Sequence, residues 1–331
     1  MNEKSQESTS SLPMDVLVVE DVWGSAFDEI GQRLTITYLP QLWEDDSALK
    51  DYIGNVRALV IRNRTQVTRD LLAAAPMLEV IARAGVGLDN IDLVAANEAG
   101  VVVVAALGAN ATSVGEHAVG MAFAFSKNLI SQDLKTKEGG WDRRLGFELQ
   151  DRSWGVIGLG ATGRETARIA HAIGMKVYGY DPNIPIDRFI EGVDTRVDTI
   201  EETLASCDFI SLHVPLTPGT SKMVSSGFLS KMRRGSYLIN SSRGGLVDED
   251  ALLEALDNDH LAGAALDVRV SEPPALHPLN SHAKVIHSPH VAGLTYESQD
   301  RITEILAFEI DTVLGGEPAT MNVGIHQIAN R

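Results

Sequence analysis

Short, continuously apolar runs alternate with stretches of helical spacing along most of the chain. The first run is DVLVVE at 15–20, and others recur at 34–39, 58–61, 78–82 and 101–104. A run that is apolar at every position suits a parallel strand covered on both faces. Helical stretches at 68–75 and 92–99 separate these runs. The alternation predicts a doubly wound α/β domain over about residues 14–110. A long helix is predicted next, over 110–129, with Thr112 or Ser113 as cap and Glu116 near a capping-box position. It is apolar nearly all round, which predicts burial between domains. His117 within it reads as a packed or hydrogen-bonded residue rather than a ligand. Residues 131–149 are polar and contain Gly139-Gly140-Trp141, so they read as an irregular connection that could face a second subunit.

The pattern becomes most informative over 154–181, WGVIGLGATGRETARIAHAIGMKVYGYD. Val156 and Ile157 end a buried strand, and Gly158, Gly160 and Gly163 then give G-x-G-x-x-G. Residues 164–173 have helical spacing, 176–180 read as a second strand, and Asp181 closes the unit. A dinucleotide needs that order. Gly158 makes the tight turn. Gly160 lets the backbone approach a pyrophosphate seated on the helix N-terminus, and Gly163 lets helix and strand pack closely. Asp181 can accept hydrogen bonds from both ribose hydroxyls, and its charge repels a 2′-phosphate, which favours NAD over NADP.

Alternation continues to the C-terminus. Strand-like runs at 209–214, 236–240, 261–266 and 285–286 each deliver polar residues at their carboxyl ends, with a helix predicted over 248–257 and a last long one over about 296–314. Arg243, Glu272 and His290 each follow one of these strands. An arginine fork can bind a carboxylate and polarise an adjacent carbonyl. A histidine can trade a hydroxyl proton, and a glutamate beside it can orient the ring and stabilise the imidazolium. Spacing alone leaves open whether the three converge. In the first domain, Arg62-Asn63-Arg64-Thr65 follows a strand where open α/β sheets bind ligands; if that segment stays extended, Arg62 and Arg64 share a face and converge on the pocket mouth. Gly85 and Gly87 could turn backbone N–H groups toward an anion. Each loop reads equally well as a solvated turn.

Length and charge narrow the reading. A chain of 331 residues suggests about two domains. Its net charge of −17 argues against bulk attraction to nucleic acid or anionic membranes, so an anionic substrate must meet local arginines. The single cysteine, Cys207, reads as a packing residue in a reducing compartment. Residues 1–13 read as a loose polar tail without a signal peptide, and the run near 101–107 is too short to span a bilayer, leaving the cytoplasm as the default. No metal site is expected.

NSSRGGLVDE around Arg243, ALDVRVSEPP around Glu272 and SPHVAG around His290 resemble the signature segments of the D-isomer-specific 2-hydroxyacid dehydrogenases. GLGATG with Asp181 resembles that family's NAD loop, and the resemblance runs from about Val16 to Val323. It implies Arg243, Glu272 and His290 as the catalytic set. It implies cofactor contacts at Ala161 and Thr162 through backbone, and at Pro215, Ser241, Ser242 and Asp267, with Asp267 facing the nicotinamide amide. Val86 and Gly87 fall where backbone amides hold the substrate carboxylate, and Arg62 is a candidate for a second anionic group. The resemblance further implies a homodimer built through the cofactor domains. It implies a Rossmann-like NAD domain at 111–296 inserted into a flavodoxin-like, discontinuous substrate domain at 1–110 and 297–331.

There are departures. Ala161-Thr162 stands where a basic or bulky pair is common, and Asn63 where Ser is common in the phosphoglycerate branch. IRNRTQVT and ARAGVGLDNID place the chain closest to that branch, while an end near Arg331 leaves no room for its regulatory domain. Glu272 in place of glutamine argues against formate. The expected function is NAD-dependent interconversion of a D-2-hydroxy acid and its 2-keto acid. 3-Phosphoglycerate is the leading candidate, with hydroxypyruvate or glyoxylate next. The alternative is a non-catalytic NAD-sensing interaction protein like the family's corepressor branch, which can retain the triad.

Overall fold

The structure, a computed structural model, describes residues 14–22 and 24–324. The tail at 1–13 lies outside the described residues. The chain divides into two compact units, one of Met1–Asn110 with Thr295–Arg331 and one of Ala111–Leu294.

The first unit carries five parallel strands, β1 Met14–Val18, β2 Ile36–Tyr38, β3 Val56–Ile61, β4 Val80–Arg83 and β5 Val102–Ala105, in the order β2-β1-β3-β4-β5. That order reverses between β1 and β3, as in flavodoxin-like sheets. The apolar runs are continuous because both faces are covered. Leu17, Leu59, Ile61 and Ile81 join one buried cluster, and Val16, Val18, Val60 and Ala82 join the other. The helix Tyr296–Leu314 covers the second face with Ile302, Leu306, Ile310 and Val313. Thr295 starts it with a reciprocal capping box to Ser298. After this helix the Val323 N–H donates to the Val103 carbonyl at 2.8 Å, so the far end of the described chain completes the same sheet.

The second unit holds seven parallel strands: β6 Ser153–Ile157, β7 Lys176–Tyr180, β8 Thr195–Arg196, β9 Phe209–Leu212, β10 Ser236–Asn240, β11 Leu261–Leu266 and β12 Val285–His287. Their order, β12-β11-β10-β9-β6-β7-β8, reverses between β6 and β9. It is the dinucleotide-binding order extended by one strand. The helix Ala111–Ser126 belongs to this unit and packs on the helix Ala161–Ala172. A Cβ on Gly115 would meet backbone atoms of Glu165 and Thr166 at 3.1 Å. Cys207 is buried beneath β6, and burial pushes its thiol up to about 12, which suits an inert packing residue.

Two local expectations change. Residues 131–149 are not irregular throughout, because a helix spans Leu129–Lys137, entered through Asn128 at φ 52°. Its polar composition hides a short helix with one apolar edge, and irregular chain begins only after it. The segment at 62–65 bends instead of continuing β3, so Arg62 and Arg64 do not share a strand face. No helix among the described residues is long and apolar enough to cross a membrane.

Candidate active site and dinucleotide loop

In the second unit the loop after β6 turns at Gly158, whose φ of +92° favours glycine. A Cβ there would lie 2.6 Å from the His213 carbonyl oxygen, and one on Gly163 would lie 1.9 Å from the Gly158 oxygen. Gly160 is different: a Cβ would meet nothing within 4 Å. Its backbone therefore opens on free space directly before the N-terminus of the helix Ala161–Ala172, which suits a pyrophosphate. Asp181, at the end of β7, accepts from the Leu159 N–H at 2.8 Å and the Asn183 N–H at 2.9 Å. It braces the glycine loop and keeps lone pairs for ribose hydroxyls. It also lines a pocket with Tyr180, Pro182, Val197 and Asp198. The residues present fit a dinucleotide.

Arg243, Glu272 and His290 lie beyond the carboxyl ends of β10, β11 and β12, three strands that are neighbours in the sheet. His290 Nδ1 stands 2.7 Å from Glu272 Oε2. Glu272 Oε1 also accepts from the Arg269 N–H at 3.3 Å. Burial works to raise the Glu272 carboxyl. Hydrogen bonding and charge from His290, the Arg269 N–H and the Arg243 charge outweigh it, and the group falls below its usual range. Glu272 is thus ionised at neutral pH and holds His290 with Nε2 free to face a substrate. His290 itself has φ 56°, a backbone strain that the surroundings must hold. Its N–H donates to the Asp267 carbonyl at 2.8 Å.

Asp267 anchors the histidine loop. Its buried carboxylate accepts from Ser288 Oγ at 2.5 Å, from the Val291 N–H at 2.9 Å and from the Ala292 N–H at 2.9 Å. His117 Nε2 lies 3.1 Å from Ser288 Oγ and 3.7 Å from Asp267 Oδ1. Burial pushes the His117 imidazole down, against the opposing pull of Asp267. His117 is therefore a hydrogen-bonded member of the wall behind His290, reached only through the fold.

Arg243 Nη1 donates to the Ser242 carbonyl at 2.8 Å, and Asn240 Nδ2 fixes the Arg243 carbonyl at 2.9 Å. Ser242 Oγ ties this loop to the Val214 carbonyl at 2.6 Å, next to Pro215. Ser241 precedes it at the end of β10. A Cβ on Gly244 would meet the Arg269 carbonyl carbon at 2.0 Å, so the Arg243 loop and the Glu272 loop can press together only with glycine there.

Arg269 is the functional support that sequence reading missed. Its buried guanidinium forms a two-pronged pair with Glu249, at 2.8 and 2.9 Å, and Nη1 donates to Asn280 Oδ1 at 2.7 Å. No motif links residues twenty positions apart, but an arginine inside the segment DVRVSEP was a visible signal.

In the first unit the loops after β3 and β4 sit side by side, stapled by Asn90 Nδ2, which donates to the carbonyls of Arg62 at 2.9 Å and Thr65 at 2.7 Å. The crevice between β1 and β3 is filled from within: Glu20 accepts from the N–H groups of Arg62, Arg64 and Thr65 at 2.8, 3.1 and 2.9 Å. Arg62 Nη1 donates to the Asp21 carbonyl at 2.8 Å, and the Arg64 guanidinium lies 4.6 Å over the Trp43 ring. The two side chains thus take different partners. Ahead of Val86 and Gly87, Gly85 takes φ +144° over the Arg83 guanidinium, where a Cβ would meet Nη1 at 1.8 Å.

Residues 119–292 match the model of the D-isomer specific 2-hydroxyacid dehydrogenase, NAD binding domain. The chain is 42% identical over 303 residues to the D-3-phosphoglycerate dehydrogenase of Methanocaldococcus jannaschii, covering 91% of this chain and 57% of that protein. It is 37% identical over 304 residues to the (S)-sulfolactate dehydrogenase of Chromohalobacter salexigens, covering 91% of this chain and 98% of that one. Among solved structures, the TT0316 protein of Thermus thermophilus superimposes with a TM-score of 0.87 at 30% identity, covering 94% of this chain and 100% of that one. The second unit is thus an NAD-binding domain, and the chain belongs to the D-isomer specific 2-hydroxyacid dehydrogenase family. It spans little more than half the length of the Methanocaldococcus jannaschii phosphoglycerate dehydrogenase.

Proposed function

We propose that the chain is an NAD-dependent dehydrogenase that interconverts a D-2-hydroxy acid and its 2-keto acid. The observation that carries this is the 2.7 Å pair of His290 with ionised Glu272, in the same unit as the glycine loop and, like it, beyond the carboxyl ends of the strands. Bound NAD supplies the hydride acceptor, and NADH the donor. In oxidation neutral His290 takes the hydroxyl proton at Nε2, and Glu272 stabilises the imidazolium that results; in reduction the proton returns by the same path. Arg243 takes the substrate carboxylate and polarises the C2 oxygen. The first unit is the substrate-binding one, with the Val86 and Gly87 amides as its anion contact.

For the substrate we propose a 2-hydroxy acid with a second anionic group. The two relatives support this through their named substrates, since 3-phosphoglycerate carries a phosphate and sulfolactate a sulfonate. Arg62 is the proposed partner of that group. Burial lowers its guanidinium pKa, and the charges of Glu20 and Asp21 work against the fall. An arginine so placed stays cationic. The test is steady-state turnover on 3-phosphoglycerate, sulfolactate and D-glycerate with NAD and with NADP. A charge-assisted contact is worth about 1.5–3 kcal/mol. Arg62→Ala should therefore lose roughly tenfold or more in kcat/KM on the doubly charged acids alone. Equal losses on D-glycerate would sink the second anion, a preference for NADP would sink the role given to Asp181, and no turnover on any hydroxy acid would sink the activity itself.

We also propose that the chain is a homodimer joined through its NAD-binding unit. Leu129, Leu134, Trp141 and Leu145 are 53, 55, 83 and 93% exposed along the helix Leu129–Lys137 and the chain after it. Exposed apolar side chains grouped in this way mark a protein interface. Light scattering should give twice the 35.7 kDa chain mass. The double substitution Trp141→Ser with Leu145→Asp should give the monomer. A monomeric wild type at micromolar concentration would refute the assignment.

A further inference from the structure

Beneath the glycine loop runs a line of polar side chains that the proposed chemistry does not use. Trp154 on β6 donates from Nε1 to Ser211 Oγ at 2.8 Å. Ser211, on β9, is fully buried, and its Oγ lies 3.0 Å from His213 Nε2. His213 Nδ1 lies 3.3 Å from Thr162 Oγ1, in the first turn of the helix behind the loop.

The direction of these bonds follows from the inventory of donors. Indole N–H can only donate, so Ser211 Oγ accepts from Trp154. The Ser211 hydrogen must then find an acceptor, because a buried hydroxyl seldom goes unpaired. Among the described residues its one acceptor is His213 Nε2. That nitrogen is therefore unprotonated, and the ring hydrogen sits on Nδ1, where it donates to Thr162 Oγ1. The imidazole stays neutral at working pH, since burial pushes it down to about 4. Thr162 Oγ1 thus receives a hydrogen from inside the protein and keeps its own to give. The described structure has no acceptor for it, and it stands at the helix end where Gly160 opens on free space.

We propose that Trp154, Ser211 and His213 form a hydrogen-bond relay that orients the Thr162 hydroxyl as a donor to the dinucleotide pyrophosphate. This rests on the NAD assignment of the same loop. In a chain of net charge −17, a neutral donor held in place adds to the pull of the helix end, where Arg164 Nε also lies 3.4 Å from the Gly160 carbonyl oxygen. Ser211 and His213 are positioning residues, and Thr162 makes the contact.

NADH dissociation constants, measured by nucleotide fluorescence on the full chain, test the relay. A hydrogen bond to a charged group sets the scale. Thr162→Val should weaken NADH about tenfold, while Thr162→Ser, which keeps the hydroxyl, should restore most of the affinity. Ser211→Ala should weaken NADH in the wild-type background and add nothing in the Thr162→Val background. Nitrogen-15 spectra should show His213 neutral and protonated on Nδ1, with its signals assigned by their loss in His213→Asn. Unchanged affinity in Thr162→Val, additive losses with Ser211→Ala, or a ring protonated on Nε2 would each overturn the relay. Failure of the wild type to bind NADH would overturn the dinucleotide assignment beneath it.

Discussion

Substitution of His290 by Gln or Asn lowers kcat by about 10²–10⁴-fold, the usual share of a positioned general acid–base. The Asn variant is the stricter of the two. His290 occupies φ 56°, a region that asparagine tolerates better than most residues, so the backbone of the loop is kept while the titrating ring is removed. NADH affinity should barely move, because the glycine loop and Asp181 are untouched. The pH profile separates a proton-transfer role from a structural one. Both variants should lose the limb that reports the imidazole. Glu272→Gln should lower kcat as well, because the imidazolium formed in the reaction loses the carboxylate 2.7 Å from Nδ1. Wild-type turnover in either His290 variant, or in Glu272→Gln, removes the pair from the mechanism.

What could be read in the chain follows from where the physics is local. The glycine turn, the acid at the end of β7 and the polar tips of β10, β11 and β12 are each set by residues within a few positions of one another. Strand period and backbone requirement are written there directly. The two sheets were legible for the same reason, since strands buried on both faces leave unbroken apolar runs. The helix Leu129–Lys137 was not, because its exposed face makes its composition that of a loop. The bend at 62–65 was not, because its cause is Glu20, a residue 42 positions before Arg62 that turns three backbone N–H groups inward. Ser211 in β9 and His213 just past its end fall on one side by simple alternation. Nothing in their own segment says that Trp154 and Thr162 lie at either end. Long-range polar partners leave no periodicity, so the supports of this site appear only once the sheet order brings their strands together.

Glu249 is the clearest case, and its removal should cost more stability than that of any other exposed-looking acid in the NAD-binding unit. Its partner Arg269 carries a guanidinium whose side chain is only 7% exposed, with Glu249 on two of its nitrogens. Taking away one member of a buried ion pair leaves the other charge desolvated, at a cost of about 3–5 kcal/mol. For a unit of this size that lowers the melting temperature by roughly 10 °C. Glu249→Ala should show this loss, and Glu249→Met with Arg269→Leu should recover much of it, because an apolar pair of similar volume needs no compensation. The effect has a defined pH window. Hydrogen bonding to Arg269 comes first among the causes that hold the Glu249 carboxyl below its ordinary 4.5. A carboxyl depressed in the folded state contributes stability above its unfolded value and loses it as pH falls through the folded one. Wild type and Glu249→Ala should therefore differ most at neutral pH and converge as pH drops below about 4.5. Function should follow stability in one respect only. The Arg269 N–H that holds Glu272 Oε1 sits on the same residue as the pinned guanidinium, so Glu249→Ala should lower kcat several-fold while NADH binding is retained. A variant as stable as the wild type at neutral pH would show that the pair is not what fixes the Glu272 loop.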